Sequence, residues 1–401
     1  MRIGYSYWGF LGDEKYSNDF RLLSTPDGNA FYSWSIINKL QQDGCEVIGI
    51  MPDRDEPGFR FMNTDLFSAW CKSTRLNSYL SMKHIEYGGL FDYKNRKWLT
   101  QDALINFFDI YDVNKFDVIL HEWRMPISGR NTTEDFYNED WQPDLFIQET
   151  LIKYCIDNNV KLVLFDLDYK ISDSQAHDFA YKTNNVYIFE LGNKWKNLAF
   201  ETDGKCRKVY IPFDFRYINQ FRLKSHFDDK LIYVGNRYER DWCIDKYVKD
   251  VPAVKVYGNW LEGNRDSDKQ WPNIVFGKRL QTKDMHDVYS NSATTILLAK
   301  RDYCENNFMT ARILEAIFYG CVPLFIEEYG EKCIQFYAGA YKDLLTVHNC
   351  DDVINISNEL FEDSMLRNNI VSYLRMHLSF MDVTGFVKQL YSIIMERLYG
   401  K

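Results

Sequence analysis

Two opposite charges three residues apart, Arg312 and Glu315, stand in a stretch that is otherwise core material, DYCENNFMTARILEAIFYGCVPLFIEE over 302–328. A glutamate in the first turns of such a segment can accept both hydroxyls of a ribose, and an arginine three residues earlier can reach a phosphate. The same pair could be an i,i+3 ion pair on a helix surface, which stabilises very little. The surroundings oppose that second reading: NNFMTARILEAIFYG (306–320) reads as a helix closed by Gly320. Phe308, Met309, Ile313, Leu314, Ile317 and Phe318 make the segment apolar on most sides, and charges in a buried helix need partners.

Three other loops carry candidate chemistry. KLIYVG (230–235) is followed by NRYERDW, so Gly235 ends a strand and Asn236, Arg237 and Arg240 are expected to open the next helix. Outward N–H groups and guanidinium at a helix start suit a diphosphate; solvated surface arginines are the alternative. AVKVYG and NIVFG end at Gly258 and Gly277, the second followed by Lys278, Arg279 and Leu280. Backbone there can read a base edge, and ordinary strand-end turns would look the same. VKLVLFD (160–166) runs into LDYKISDSQAHD, which places Asp166, Asp168, Lys170 and Asp173 at a strand's end. A partly desolvated carboxylate at that point can take a proton from a substrate hydroxyl. It can equally cap the helix expected near Ser174.

These loops need a frame. Apolar strands alternate with helical stretches: RIGYSY (2–7), CEVIGIM (45–51), FDVILHE (116–122), VKLVLFD and NVYIFEL (185–191), with helices near 30–43, 145–158 and 174–183. That alternation predicts βαβ units and a parallel sheet covered on both faces. GKCRKVYIPFDFR, around 204–215, reads as a linker. The alternation then restarts through KLIYVG, AVKVYG, NIVFG, TTILLA (294–299), VPLFIE (322–327) and LLTV (344–347), and ends in about 50 helical residues. The fold class is therefore α/β, two Rossmann-like domains facing a cleft, with C-terminal helices. The predicted bounds are 1–215, 216–385 and a last helix, 386–401, packing back on the first domain. In open sheets of this kind ligands bind beyond the carboxyl ends of the strands.

A chain of 401 residues suits two cores. The nine cysteines are scattered singly, without metal-ligand spacing, and free buried thiols are expected. No run approaches the length of a membrane span. MRIGYSYWGF enters a strand directly, unlike a signal peptide, so a cytoplasmic location and no membrane partner are expected. The net charge of −9 argues weakly against nucleic acid, although a local basic groove would escape that count.

NNFMTARILEAIFYGCVPLFIEE resembles the nucleotide-binding segment of the DNA β-glucosyltransferases of T-even bacteriophages, which has a similar N-F-[IM]-T-x-R-x-x-E run. The likeness extends thinly over about three quarters of the chain, through VKVYGN, NIVFGK and KLIYVGN. It implies the GT-B fold, with a UDP-sugar as donor substrate in the second domain, no tightly bound cofactor and Mg2+ or Mn2+ assisting. It further implies Glu315 on the ribose, Arg312 on a phosphate or holding Glu315, and Tyr303 near the donor. Gly235 and Asn236 would stand at the diphosphate, with Arg237 and Arg240 shifted from the family's arginine spacing. KLVLFDLDYKISDSQ aligns with the family's catalytic segment, which puts Asp168 on the general base and Lys170 on an arginine. DLD also fits the D-x-D metal pattern of another glycosyltransferase class, whose layout is different. Asn29 falls where the family has a glutamate close to the sugar, so glucose and arabinose both stay open. The resemblance implies a monomer acting on double-stranded DNA that contains hydroxymethylated cytosine, in a host cytoplasm. The insertion at 52–145, with Lys72, Arg124 and Arg130, would either grip DNA or form a solvated accessory segment. A non-DNA acceptor and an inert nucleotide-sugar or DNA binder remain the alternatives.

Overall fold

Unbroken apolar runs make strands that are covered on both faces, and the runs above become the spines of two sheets. The computed structural model describes residues 1–6, 17–23, 29–51, 89–100, 116–122, 155–156, 158–166, 183–191, 204–263 and 265–399. The first sheet contains β1 (Arg2–Ser6), β2 (Glu46–Met51), β3 (Gly89–Asp92), β4 (Lys97–Thr100), β5 (Val118–Glu122), β6 (Lys161–Asp166), β7 (Val186–Leu191) and β8 (Cys206–Val209). Their order is β4-β3-β2-β1-β5-β6-β7-β8. Neighbours from β2 to β8 run parallel, and α1 (Asn29–Gln42) joins β1 to β2.

Two features depart from the expected frame. An antiparallel hairpin, β3–β4, extends the edge beyond β2. Its turn is built by Asp92, whose Oδ1 accepts the N–H of Lys94 at 3.0 Å and of Asn95 at 3.2 Å. The predicted linker also contains a strand, β8, paired in parallel with β7. Only Cys206 and Val209 of its four residues are buried, so the basic residues between them disguised an edge strand. The predicted helices at 145–158 and 174–183 lie outside the described residues, apart from 155–156, 158 and 183.

The second sheet contains β9 (Asp229–Val234), β10 (Lys255–Tyr257), β11 (Val275–Gly277), β12 (Ser292–Leu297), β13 (Val322–Ile326) and β14 (Thr346–Val347). The order is β11-β10-β9-β12-β13-β14, parallel throughout. Its helices are α2 (Asp241–Tyr247), α3 (Ser267–Gln270), α4 (Thr282–Ser290), α5 (Arg301–Glu305), α6 (Arg312–Tyr319), α7 (Glu331–Ala338) and α8 (Lys342–Leu345). Three more follow: α9 (Cys350–Glu362), α10 (Ser364–His377) and α11 (Val383–Tyr399). LLTV is thus a strand only at its last two residues, because Leu344 and Leu345 finish α8. Helix α2 starts at Asp241, so Asn236 and Arg237, expected to open it, stand before it, and Arg240 is its N-cap residue. The helix expected from Asn306 starts at Arg312 instead. Residues 301–305 form the separate helix α5, and Asn307 turns the chain between the two at φ +51°. Gly320 ends α6 as expected, at φ +90° with its N–H donated to the carbonyls of Ala316 and Ile317. The eight described cysteines are free thiols. Among the described residues no helix is long and apolar enough to cross a membrane.

Two seams join the halves. Helix α11 packs on the first sheet, with Phe386 against Phe165 at 4.8 Å and Phe189 at 5.1 Å. Tyr391 donates to Asp43 at 2.9 Å, and Arg207 pairs with Glu396. The other seam is aromatic. Phe318 of α6 lies 5.6 Å from Phe20 and 5.1 Å from Phe31 of the first half, and 5.3 Å from Phe221 of the connector. Beside it, the Lys283 N–H donates to the Leu23 carbonyl at 2.8 Å. Phe318→Ala should therefore cost about 3–5 kcal/mol of stability in denaturant unfolding. A loss below about 1 kcal/mol would mean that the seam contributes little to holding the halves together.

Candidate functional site

The chain lays β9, β10 and β11 outward to one edge and then returns to place β12 on the other side of β9. The loops after β9 and β12 therefore diverge, and this switch point is where an open α/β sheet offers a crevice. The β9 loop is locked to its β10 neighbour. Gly235 N–H donates to the Tyr257 carbonyl at 2.8 Å, and Trp260 Nε1 donates to the Gly235 carbonyl at 2.7 Å. Asn236 Oδ1 accepts the Asn259 N–H at 3.3 Å, while Asn259 Oδ1 accepts the Arg237 N–H at 3.2 Å. The fit admits no side chain at Gly258, which sits at φ +147°. A Cβ there would stand 2.2 Å from the Gly235 oxygen.

Arg312 lies directly against this turn. A Cβ on Gly235 would meet Tyr233 Oη at 2.4 Å and Arg312 Nη2 at 2.8 Å. The guanidinium carbon is 5.8 Å from the Tyr233 ring centroid. Arg312 Nη1 and the hydroxyls of Tyr233 and Tyr289 are buried without a hydrogen-bond partner among the described residues. Burial alone would lower the Arg312 pKa. The neighbouring Tyr233, Glu315 and Tyr289 groups more than offset it, and the net direction is upward. Arg312 therefore stays cationic. Burial, with Glu315 second, pushes the Tyr289 hydroxyl far up, so it remains a neutral donor. Glu315 itself is buried, at 4% exposure. A buried guanidinium nitrogen with no protein acceptor is costly unless something anionic completes it.

The other sequence candidates are distributed unevenly. Arg237 binds Asp241 through Nε at 2.8 Å and Nη2 at 2.6 Å, and also donates to Ser267 at 3.0 Å and Gln270 at 2.8 Å. Its guanidinium carbon is 5.0 Å from the Trp271 ring centroid. Those partners lie toward β10 and α3, away from β12. Arg240 is buried and donates to the carbonyls of Asn236 at 3.3 Å, Tyr238 at 2.9 Å and Leu298 at 3.4 Å. It staples the β9 loop to the end of β12. Tyr303 is buried, with its ring 4.9 Å from Phe308. Leu280 is half-buried against the core. Asn29 opens α1. Asp168, Lys170, Asp173, Lys72, Arg124 and Arg130 lie outside the described residues; β6, which leads to Asp168, ends at Asp166 beside Glu190 of β7.

Sequence reasoning missed several residues. His121 Nδ1 and Ser6 Oγ share a hydrogen bond of 2.9 Å at the carboxyl ends of β5 and β1. Next to them Tyr5 donates to Ser33 at 3.0 Å. Burial and, after it, the charge of the buried Glu122 push the Tyr5 hydroxyl up. The signal was present in FDVILHE, where an apolar run ends in two ionisable residues. Lys300, whose Nζ lies 3.9 Å from the Tyr238 ring centroid, was also passed over. Among the described residues no three His, Cys, Asp or Glu side chains gather as metal ligands would.

No protein-family model matches the chain, and no curated protein sequence does. Solved structures do match over nearly its whole length. T4 phage β-glucosyltransferase in complex with UDP and Mn2+ superposes with a TM-score of 0.57 at 16% identity, covering 98% of this chain and 99% of that one. A sucrose-phosphate synthase from Thermosynechococcus elongatus gives 0.53 at 8% identity, and Anabaena HepE in complex with UDP-glucose gives 0.51 at 13%, each covering 100% of both chains. The fold is GT-B. At these identities the likeness extends to architecture alone. Gly258→Ala should cost about 1–3 kcal/mol, because the left-handed backbone and the Gly235 oxygen both resist a methyl group. Thermal unfolding reads the loss, and an unchanged midpoint would mean that the two turns are not locked together.

Proposed function

We propose that the protein is a UDP-sugar-dependent glycosyltransferase that moves glucose or arabinose to 5-hydroxymethylcytosine, or a related hydroxylated pyrimidine, in double-stranded DNA. The observation that carries the donor half is the buried Arg312 guanidinium under the Gly235 turn, whose Nη1 has no acceptor among the described residues. A diphosphate supplies the anion it lacks, and Glu315, one turn further along α6, suits the ribose hydroxyls. Tyr303, Leu280 and the Gly235–Asn236 backbone are the further candidates for contact with the donor. The acceptor half is supported by the resemblance of the α6 segment to the phage enzymes. It is supported also by the full-length match to a DNA-modifying β-glucosyltransferase solved with its substrate uridine diphosphoglucose, at 15% identity and a TM-score of 0.56.

The reaction follows from these roles. Asp168, two residues beyond β6, takes the proton of the acceptor hydroxyl as that oxygen bonds to the anomeric carbon. The bond from that carbon to the diphosphate oxygen breaks, and UDP leaves with the electron pair, so the configuration inverts. Charge building on the leaving diphosphate is stabilised by fixed cations, usually the dominant source of rate in such transfers. Arg312 is already held in place for this. The target base must leave the duplex stack to present its hydroxyl, with Asn29 at the start of α1 as the first-domain candidate for contact with the sugar. Mn2+ accompanies UDP in the T4 phage enzyme. The described residues of this chain offer no ligand cage.

A second reading keeps the donor and replaces DNA by a lipid, polysaccharide or metabolite; the net charge of −9 favours it. The deciding assay incubates the protein with DNA containing 5-hydroxymethylcytosine and a panel of UDP-sugars, followed by mass spectrometry of the digested nucleosides. A gain of one hexose or one pentose is expected. Bound UDP with no gain from any donor would overturn the DNA assignment alone. In the same assay Asp168→Ala should abolish transfer while UDP affinity stays near wild type, and undiminished turnover would remove Asp168 from the chemistry.

A further inference from the structure

Arg312 is not the only buried polar group left open under the Gly235 turn. Tyr233 belongs to β9, two residues before Gly235, so it projects to the face that a side chain at 235 would take. It is fully buried, yet its hydroxyl has no hydrogen-bond partner among the described residues. That hydroxyl and Arg312 Nη2 lie around one point. A Cβ on Gly235 would stand 2.4 Å from the first and 2.8 Å from the second. The ring is held from the side by Trp260, edge to face at 6.1 Å between centroids. Trp260 is in turn tied to the Gly235 carbonyl at 2.7 Å. The position of the hydroxyl is therefore as fixed as the turn above it.

We infer that the Tyr233 hydroxyl is a second donor to the phosphate that Arg312 meets. The inference rests on the donor reading above and adds to it a neutral group from within β9. A guanidinium offers hydrogens only, and a phenol offers one hydrogen besides its lone pairs. Two such groups side by side, each with an open position, call for an acceptor that can serve both. An oxyanion does so, with several lone pairs and a charge opposite to that of Arg312. Buried polar atoms in folded proteins are nearly all partnered, so an orphan hydroxyl in the middle of an apolar strand needs a reason. Phenylalanine would fill the same space in KLIYVG without leaving one. A hydroxyl already desolvated and fixed also needs no rearrangement when the anion arrives.

The test compares the full-length wild type with Tyr233→Phe, by thermal unfolding without ligand and by calorimetric titration with UDP. Removing an unbonded hydroxyl takes no bond from the free protein, so the midpoint of the variant should equal or exceed that of wild type. Its UDP affinity should nevertheless fall roughly tenfold to a hundredfold, the loss expected for a hydrogen bond to a charged group. Opposite movement of the two readouts is the signature of a ligand-binding hydroxyl. Unchanged UDP affinity would overturn the assignment and leave the hydroxyl to water. A lowered midpoint in the free variant would overturn it as well, because the hydroxyl would then be holding the turn. A wild-type protein that binds no UDP would instead overturn the donor reading, and the inference with it.

Discussion

Taking a guanidinium out of water without giving it an acceptor is among the costlier things a fold can do, and the second domain is arranged around doing so at Arg312. The cost explains features that would otherwise look unrelated. Gly235 has no side chain because Tyr233 Oη and Arg312 Nη2 occupy the space where one would go. Gly258 has none because the Gly235 carbonyl fills its place. That carbonyl is kept in position by Trp260 Nε1, and the reciprocal Asn236 and Asn259 bonds keep the two turns from separating. The neighbouring Glu315 softens the burial of the charge, while Nη1 still has no acceptor among the described residues. What results is a cation whose position is set before any anion arrives, the arrangement that electrostatic stabilisation requires.

The same helix ties that cation to the other half of the molecule. Arg312, Glu315 and Tyr319 recur at spacings of three and four and so share one face of α6; Tyr319 stacks on Tyr289 at 6.0 Å. Phe318, on the adjoining face, enters the aromatic seam with Phe20 and Phe31. Phe31 belongs to α1, whose first residue is Asn29. A path of one helix, one aromatic cluster and a second helix therefore joins the residue nominated for the phosphate to the residue nominated for the sugar. Helix α11 closes the loop by packing the chain's end on β6 through Phe165, the strand that leads to Asp168.

Much of this frame was legible in the sequence, and the parts that were not have identifiable causes. Fully buried parallel strands announce themselves as apolar runs, as VILHE and VYIFEL do, and Gly320 marked the end of α6 because only a residue tolerant of positive φ fits there. The β3–β4 hairpin and β8 hid because short edge strands need few apolar residues, and CRKV shows only two. The buried state of α6 could be read from its composition. Its start could not, because Asn307 breaks a pattern that otherwise looks continuous from Asn306. Asp168 falls outside the described residues, so its role rests on sequence likeness.

The arginines show where one-dimensional reading reaches its limit. The i,i+4 spacing of Arg237 and Asp241 was available in NRYERD and hinted at a local pair. Ser267, Gln270 and Trp271, which complete its surroundings, come from beyond β10. The Leu298 carbonyl that holds Arg240 is 58 residues away, across a strand order that no local pattern encodes. Proximity in sequence to a glycine turn therefore says little about which way a side chain faces: both arginines follow Gly235, and both are held by partners that only the strand order brings near. Arg312, far downstream of Gly235, is brought against the same turn by the return of β12 beside β9.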